Sequence, residues 1–511
     1  MGKRVAIVGS GCSGLGALWA LRTSTDHEVH MFEAASRLGG HANTVTYEAL
    51  DGQKVMVDTG FTVMNTATYP NFIRFLKALD IPVRRTEMTF AVSRDQGTFE
   101  WSGTSISSIF AQKRNIFNPG MWRLIFDVIR FNEFALDLLQ DQPESEQVQA
   151  RGMAKTSSKP SSEETIGEYL DREHYSQEFR DNYLLPMTAA LWSTSPNKCT
   201  SEFPAMTLVR FLHNHHLLRT NATRPDWLTI PGGSKQYVDA VMKHLPSNQV
   251  HLKSNVTALT PTKRGSVILT ANERDYVFDH VILATHGDQA LKILRPIAST
   301  QEAEILSGFR TNRTVAVLHS DISLMPKRRI AWSARNYITE SPFPPLRSQT
   351  VSKVCLTYWM NLLQHIPDSK FGSVLVTLNP LNMPDPRLAQ GIWEYSHPLH
   401  NAAAIRSQRL LPKIQNIRGI SYCGAWTKYG SHEDGFSSGL SVATNHLGAK
   451  LPFEFIDSDV LRGDRPTLTM KNYLLRLIIL LVQIALLLVE RVWHLGTGLL
   501  DRRTATPRKT S

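Results

Sequence analysis

The hexapeptide Gly9-Ser10-Gly11-Cys12-Ser13-Gly14 has the spacing GxGxxG, a pattern that can bind the phosphates of a dinucleotide. It follows the apolar run Val5-Ala6-Ile7-Val8, typical of a buried parallel strand, and precedes an apolar helix at residues 15–21. Gly9 allows a tight turn, Gly11 lets a pyrophosphate approach the backbone, and Gly14 lets the helix pack closely on the strand. Because the helix N-terminus then faces the phosphates, this segment, with Cys12 and Ser13, is a candidate cofactor site.

A carboxylate follows the second predicted strand. Residues 28–32 form that strand and Glu33 ends it, where a carboxylate accepts hydrogen bonds from a ribose 2′-hydroxyl. The same charge would repel the 2′-phosphate of NADP, so the pattern favours NAD or FAD. Arg37 and the pair Gly39-Gly40 come next and create another close approach of the backbone, more than NAD alone requires. Strand, glycines, helix, second strand and acid therefore occur in the order of a dinucleotide-binding unit.

The segment from Glu33 to His41 resembles the E-x-x-x-R-x-G-G-R motif of the FAD-dependent amine oxidase and phytoene desaturase superfamily. Arg37 and Gly40 match that motif, whereas His41 stands where the superfamily carries arginine. The resemblance implies bound FAD and an oxidoreductase activity. It also implies that a residue near Val256 offers its backbone to the adenine.

A second segment, near the C-terminus, resembles the other half of the superfamily's signature. Residues 420–422 predict a strand that enters a turn at Gly424, and residues 432–439 lead into an apolar helix. By resemblance, the glycine turn reaches the ribityl–pyrophosphate region of FAD. The helix N-terminus, with Asp434 and Gly435, would face the pyrimidine edge of the flavin, where negative charge develops on reduction. Since the two halves lie far apart in the chain, the FAD-binding domain is expected to be discontinuous.

Further segments narrow the resemblance to the flavin oxidoreductases associated with cyclopropane-fatty-acid synthase-type methyltransferases. That resemblance covers roughly residues 3–450. The segments that carry it are 58–65, 68–72, 87–93, 192–194, 231–234, 284–291 and 426–435. It implies a hydrophobic substrate, such as an acyl chain or lipid. An acyl-chain methyltransferase or another pathway enzyme is the partner that it predicts.

The predicted fold class is α/β, with two domains in a chain of 511 residues. A discontinuous Rossmann-like FAD-binding domain of the glutathione-reductase type is expected at residues 1–75, 225–294 and 406–450. An α+β substrate domain is expected at residues 76–224 and 295–405. Within it, residues 142–164 are rich in Gln, Glu, Ser and Lys and predict a surface insertion.

A hydrophobic helix is expected at residues 471–495. Residues 477–489 carry no charge, Arg476 and Arg491 flank them, and the net charge of the whole chain is +11. Three interpretations stay open: a membrane-spanning anchor, a helix in the membrane interface, or a helix docked on the protein. Basic flanks favour a membrane over nucleic acid. The chain is therefore predicted to be membrane-associated, with a cytoplasmic catalytic domain and no nucleic-acid partner.

The sequence indicates neither a disulfide framework nor a metal site. The four cysteines are widely spaced and include no CxxC pair. The run His213-Asn214-His215-His216 lacks the i,i+4 histidine pair with glutamate that a helical zinc site uses. No metal is therefore predicted. Because no cysteine stands in a flavin-attaching context, the FAD is expected to be non-covalent.

His286, Tyr429 and His432 are the candidates for proton transfer or substrate orientation. His286 follows the strand expected at residues 279–284, and the other two precede the C-terminal helix of the signature. The first function that they fit is hydride transfer between a hydrophobic substrate (acyl chain, lipid or specialised metabolite) and FAD. The second is amine oxidation, although His432 takes a place where many amine oxidases carry tyrosine. The third is a flavin-binding scaffold without catalysis.

Overall fold

The structure is a computed structural model that describes residues 2–140, 164–191, 200–201, 203–218, 225–341, 353–457 and 468–504. Within these residues the chain folds into a mixed α/β architecture, as the sequence predicts at that level. The surface insertion predicted at 142–164, except for Glu164, and the motif segment 192–194 lie outside the described residues.

Strands and helices are numbered in chain order. The strands are β1 (Arg4–Val8), β2 (Glu28–Phe32), β3 (Thr44–Glu48), β4 (Lys54–Asp58), β5 (Met64–Asn65), β6 (Arg84–Thr86), β7 (Phe90–Arg94), β8 (Phe99–Ser102), β9 (Trp227–Thr229), β10 (Val250–His251), β11 (Val256–Pro261), β12 (Val267–Ala271), β13 (Arg274–Phe278), β14 (His280–Leu283), β15 (Thr311–His319), β16 (Arg335–Glu340), β17 (Lys353–Trp359), β18 (Leu375–Leu378), β19 (Ala389–Pro398) and β20 (Ile420–Tyr422). The α-helices are α1 (Cys12–Ser24), α2 (Pro70–Ala78), α3 (Ile106–Ile109), α4 (Pro119–Phe134), α5 (Asp137–Gln140), α6 (Ile166–Arg172), α7 (Gln177–Phe179), α8 (Leu185–Leu191), α9 (Ala205–Asn214), α10 (Lys235–Met242), α11 (Gly287–Leu294), α12 (Thr300–Ser307), α13 (Met360–Leu363), α14 (Asp368–Phe371), α15 (Ala402–Leu410), α16 (His432–Leu447) and α17 (Met470–Thr504).

A five-stranded parallel sheet, in the order β10-β2-β1-β14-β20, holds the N-terminal motif. Helix α1 follows β1 and packs against α16. Small residues permit this contact, because a Cβ on Gly16 would lie 2.9 Å from the Phe436 carbonyl oxygen. A Cβ on Gly439 would lie only 2.0 Å from the Ser13 carbonyl oxygen. The two halves of the signature therefore meet across one helix pair.

A seven-stranded sheet, in the order β19-β15-β18-β17-β16-β7-β8, forms a second large layer. Its neighbouring strands are antiparallel except for β16 and β7, which run parallel. Side chains of Val92, Tyr337 and Leu356 from this sheet share a hydrophobic core with helices α4, α6, α7 and α9. Smaller sheets have the orders β11-β12-β13, β3-β4 and β5-β9-β6.

One buried carboxylate joins segments from both layers. Asp58, at the end of β4, accepts hydrogen bonds from Ser234 Oγ at 2.7 Å and from Gln364 Nε2 at 2.8 Å. Ser234 precedes α10, which packs in the core of the parallel sheet, whereas Gln364 follows α13, which extends from β17. Burial raises the pKa of Asp58 to about 6. This carboxyl group therefore links segments that pack against the two layers.

Helix α17 begins one residue before its predicted start and ends at Thr504 rather than at residue 495. Its first part contacts the protein, since Arg476 Nη1 donates to Asp137 Oδ1 at 2.8 Å and Asn472 Nδ2 donates to Glu133 Oε2 at 3.2 Å. Over Met470–Leu488 the mean hydropathy reaches 1.8 and only 11% of the residues are buried. The helix is thus long and apolar enough to cross a membrane and docks on the protein through one face.

Candidate functional site

A cavity of about 850 Å³ is lined by residues of both large sheets. One wall consists of residues at the carboxyl ends of the parallel strands β1, β2, β14 and β20, the edge where open α/β sheets bind ligands. The other wall consists of residues from β16, β17 and β19 of the seven-stranded sheet. The volume lies within the ~300–1,000 Å³ range of small-molecule sites. Predicted cofactor residues that line this cavity are Gly9, Gly11, Cys12, Ser13, Glu33, Arg37, Gly40, His41, Val256 and Gly424.

The glycine turn leaves open space above the backbone. A Cβ on Gly11 would meet no protein atom within 4 Å, although the residue lines the cavity. Gly40 approaches this position so closely that its own Cβ would lie 3.0 Å from the Gly11 Cα. Behind the turn, a Cβ on Gly14 would lie 2.0 Å from the Gly9 carbonyl oxygen. Gly14 therefore allows the helix to pack on the turn, whereas Gly11 keeps room for a ligand.

Glu33 is fixed beside this turn. Its Oε2 accepts hydrogen bonds from the Ser10 backbone nitrogen at 2.9 Å and from Ser10 Oγ at 2.6 Å. Its Oε1 accepts from the Ala35 backbone nitrogen at 2.8 Å. Each carboxylate oxygen can accept more than one hydrogen bond, so the group can still bind a ribose hydroxyl from the cavity.

The start of helix α16 supports the turn from behind. A Cβ on Gly435 would lie 2.6 Å from Cys12 Sγ, and burial raises the pKa of that thiol to about 12. Asp434 Oδ2 accepts hydrogen bonds from the Ser431 backbone nitrogen at 3.0 Å and from Ser431 Oγ at 2.7 Å. The described lining of the cavity does not include three of the predicted cofactor residues, Gly14, Asp434 and Gly435. These residues shape the cavity indirectly, because they support the residues that line it.

His41 is neutral, because burial, reinforced by the neighbouring His397, lowers its pKa well below the usual range. Its ring lies 5.0 Å from that of Tyr395 and 5.1 Å from that of His397, measured between centroids. Among the described residues, no group forms a hydrogen bond with the buried Nε2 atom of His41. An unpartnered polar atom in a cavity wall fits a polar ligand. Positive charge at the lining comes instead from Arg37, Lys292 and Arg335.

His432 lies in an aromatic cluster at the cavity wall. Its ring stacks on Phe61 with centroids 3.8 Å apart, and its Nε2 lies 3.0 Å from the Tyr237 hydroxyl. Burial lowers the pKa of His432 to about 3, so the ring is neutral, and its tautomer decides whether Nε2 or the tyrosine hydroxyl donates the hydrogen. The side chain is 9% exposed. It therefore presents one small edge to the cavity and is held firmly in place.

His286 and Tyr429 occupy different positions. His286 precedes α11, lines the cavity and has a pKa lowered by burial. Tyr429 packs against the hydrophobic core beneath the seven-stranded sheet, and it is not among the described residues that line the cavity. The structure therefore brings His286 and His432 to one cavity, whose described lining does not include Tyr429.

Sequence reasoning missed the wall that the seven-stranded sheet supplies. Its residues include Arg335, Tyr358, Tyr395 and His397, and Phe61 joins them from the loop after β4. They come from separate strands, so no local motif links them. No individual strands were predicted for these segments, so nothing in the sequence analysis marked these residues as neighbours. In the described part of the chain, no cluster of three or more potential metal ligands occurs.

The residues present fit a dinucleotide cofactor. The space above Gly11 admits a phosphate, Glu33 is placed for a ribose, and Arg37 and Lys292 supply positive charge. Residues 12–321 match the model of a protein family described as "Flavin containing amine oxidoreductase". No curated protein sequence matches the chain.

Solved structures of several oxidases and an isomerase share this fold. Cyclohexylamine oxidase from Brevibacterium oxydans IH-35A has a TM-score of 0.61 and 13% identity, with 87% of this chain and 98% of that chain covered. Putrescine oxidase bound to putrescine has a TM-score of 0.59 and 15% identity, with 88% of this chain and 99% of that chain covered. The CLA-producing fatty acid isomerase from P. acnes has a TM-score of 0.54 and 13% identity, with 87% and 98% covered. At these identities the likeness shows the fold alone.

Proposed function

Because this chain belongs to the flavin containing amine oxidoreductase family and is an FAD-dependent oxidoreductase, we propose that it acts on a hydrophobic substrate, an acyl chain, lipid or specialised metabolite. One observation carries the proposal: a single cavity joins the glycine turn at Gly11 to a wall with aromatic rings from another sheet. FAD, when bound non-covalently, supplies a hydride acceptor or donor at its flavin ring. The protein's own part is to bind, orient and shield the substrate.

The five-stranded parallel sheet and the sheet β11-β12-β13 support a Rossmann-like FAD-binding domain of the glutathione-reductase type. We assign it to residues 1–75, 225–294 and 406–450. We assign the substrate domain to residues 76–224 and 295–405, which contain the seven-stranded sheet. The pyrophosphate would lie over Gly11, near Arg37 and Lys292, with Val256 at the adenine and Gly424 at the ribityl chain.

Different roles follow for the three candidate side chains. His286 is neutral and lines the cavity, so it can accept a proton from a substrate or water there. His432 is a positioning residue, because it holds Phe61 by ring stacking and is itself held by Tyr237. Tyr429 is half-buried, packs against the core beneath the seven-stranded sheet and would position the turn at Gly430, which lines the cavity.

Amine oxidation is the second candidate function. The aromatic contacts of Phe61 and Tyr395 favour it, since flavin amine oxidases place aromatic walls beside the flavin to hold a neutral amine. Against it stands Arg335, a cation at the cavity wall that would repel a substrate ammonium group. The third candidate function is a flavin-binding scaffold without catalysis. Because the glycine turn is complete, the nucleotide site gives this candidate no support.

An anaerobic titration tests the proposed function. The purified holoenzyme in detergent is mixed with unsaturated acyl lipids, amines, NADH or NADPH while the visible flavin band is followed. We expect bleaching by an acyl lipid or, if the substrate is the oxidant, by a nicotinamide followed by reoxidation with the lipid. Bleaching by amines alone would replace the proposal with amine oxidation. A chain without a flavin band after reconstitution with FAD would contradict the assignment of the site.

We also propose that helix α17 attaches the chain to a membrane with the catalytic part on the cytoplasmic side. Leu477 and Leu481 are 54% and 59% exposed and face away from the docking contacts of Arg476. Glutamate at both positions should abolish flotation with liposomes, since a charge costs ~2.5–3.5 kcal/mol at the centre of a membrane helix. Flavin content should not change. Leu252→Glu, at an exposed site outside the helix, is the control, and flotation of the double variant would contradict the proposal.

A further inference from the structure

Arg335 presents a guanidinium group at the wall of the cavity. The residue begins β16, and its backbone nitrogen donates to the Thr89 carbonyl oxygen at 3.0 Å, so its position is fixed by the sheet. Its Cζ lies 5.8 Å from the centre of the Tyr358 ring. The buried Nε atom has no hydrogen-bond partner among the described residues. The side chain is half-buried, and the cavity that it lines gives ligands access to it.

The described residues provide no carboxylate for this cation. Glu394, which also lines the cavity, forms its ion pair with Arg313. Other arginines with little exposed surface have acidic partners: Arg130 lies 3.7 Å from Asp127, measured from Nε to Oδ1. Arg335 departs from this pattern: its neighbours are tyrosines, and one of them, Tyr337, forms a hydrogen bond with its guanidinium group.

An arginine cannot lose its charge in a protein, so burial must be compensated by an anion or by hydrogen bonds. Its planar group binds carboxylates through two parallel hydrogen bonds. The wall around Arg335 contributes aromatic rings, including Tyr358 and Tyr69. A cation in an aromatic wall fits a ligand with an anionic head and an apolar body.

We propose that Arg335 binds the carboxylate of an amphipathic substrate, so that the enzyme acts on hydrophobic carboxylic acids. This inference rests on the proposed function, which assigns the same cavity to a hydrophobic substrate. The substrate carboxylate binds the guanidinium group, and the apolar chain extends along the aromatic wall. A neutral lipid of the same length lacks the ion pair and binds more weakly.

Equilibrium dialysis of the full-length, FAD-loaded protein with radiolabelled decanoate and decanol tests the inference. The wild-type protein should bind decanoate about 10- to 100-fold more tightly than decanol, the range expected for hydrogen bonds to a charged group. Arg335→Gln should remove this preference, and Arg335→Lys should keep part of it. Arg274→Gln, at an exposed strand position outside the cavity, is the matched control and should bind like wild type.

The flavin content of each variant separates the outcomes. Loss of decanoate preference with full flavin content in Arg335→Gln supports the inference. Loss of flavin in that variant would show that Arg335 binds the cofactor and would overturn it, as would equal binding of decanoate and decanol by the wild type. Because dialysis measures binding and the anaerobic titration measures flavin reduction, failure of this inference and failure of the proposed function are distinguishable.

Discussion

Gly11→Val should abolish FAD binding without unfolding the protein, and it is the variant with the largest expected effect. A Cβ at this position meets no protein atom within 4 Å, and the backbone has φ −65° and ψ 178°, which a valine can adopt. The added side chain would project into the space where the pyrophosphate must approach. We expect FAD affinity to fall at least about 100-fold, since lost phosphate contacts and a steric clash act together.

Two other glycines make this prediction specific. Gly103→Val is the matched control, because a Cβ there also meets no atom within 4 Å but the residue is exposed and outside the cavity. Gly14→Val should fail differently, by destabilising the fold, because its Cβ would lie 2.0 Å from the Gly9 carbonyl oxygen. Flavin absorbance and circular dichroism on each purified variant provide the measurement. A yellow Gly11→Val protein would contradict the assignment of the phosphate site.

Glu433→Ala should cause the largest loss of stability among single polar substitutions. This carboxyl group is 0% exposed and accepts hydrogen bonds from the backbone nitrogens of Asn71 at 3.0 Å and Phe72 at 2.9 Å. Ser437 Oγ donates a third at 2.9 Å. Its removal would leave the first turn of α2 with buried, unsatisfied N–H groups. We expect the free energy of unfolding to fall by about 3 to 5 kcal/mol, measured by denaturation followed by circular dichroism.

The pH dependence of this effect has a defined sign. Burial raises the pKa of Glu433 from 4.5 to about 7 in the folded protein. Below the unfolded value the group is protonated in both states, whereas between the two values only the folded protein keeps the proton. Its contribution to stability is therefore complete below about pH 4.5 and is lost as the pH rises through about 7. The stability of wild type relative to Glu433→Gln should fall by about 3 kcal/mol over this range.

An exposed glutamate provides the control for the loss of stability. Glu304→Ala, on the exposed face of α12, should change the free energy of unfolding by no more than about 0.5 kcal/mol. If Glu433→Ala were as stable as Glu304→Ala, the contact between α16 and α2 would not hold the two helices together. If the stability of wild type relative to Glu433→Gln rose with pH, the assigned direction of the pKa shift of Glu433 would be wrong.

The proposed cofactor half of the site could be predicted from sequence because its determinants are local. Gly9, Gly11 and Gly14 act through backbone conformation and space within one strand–turn–helix unit, and Glu33 lies at the end of the adjacent strand. Such a unit needs few long-range contacts to define its geometry. Family membership, the FAD cofactor and the oxidoreductase activity follow from the same residues, and the family match confirms all three.

Prediction from sequence was weaker where distant segments meet. His432 stood in a recognisable motif, yet its environment comes from Phe61 and Tyr237, on other parts of the chain. Its burial, and therefore its neutral state, could not be deduced from neighbouring residues. Helix α17 was predicted as an apolar helix, whereas its docking through Arg476 depends on acidic side chains of α4 and α5.

The wall that we propose for the substrate was determined by the tertiary structure alone. Arg335, Tyr358 and His397 lie on three strands, and pairing and register within the seven-stranded sheet determine which of their side chains face the cavity. A shift of one residue in any strand would turn its side chains to the opposite face. Backbone motifs encode the binding of a shared cofactor locally, but the recognition of a substrate depends on side chains that converge only when distant strands pair.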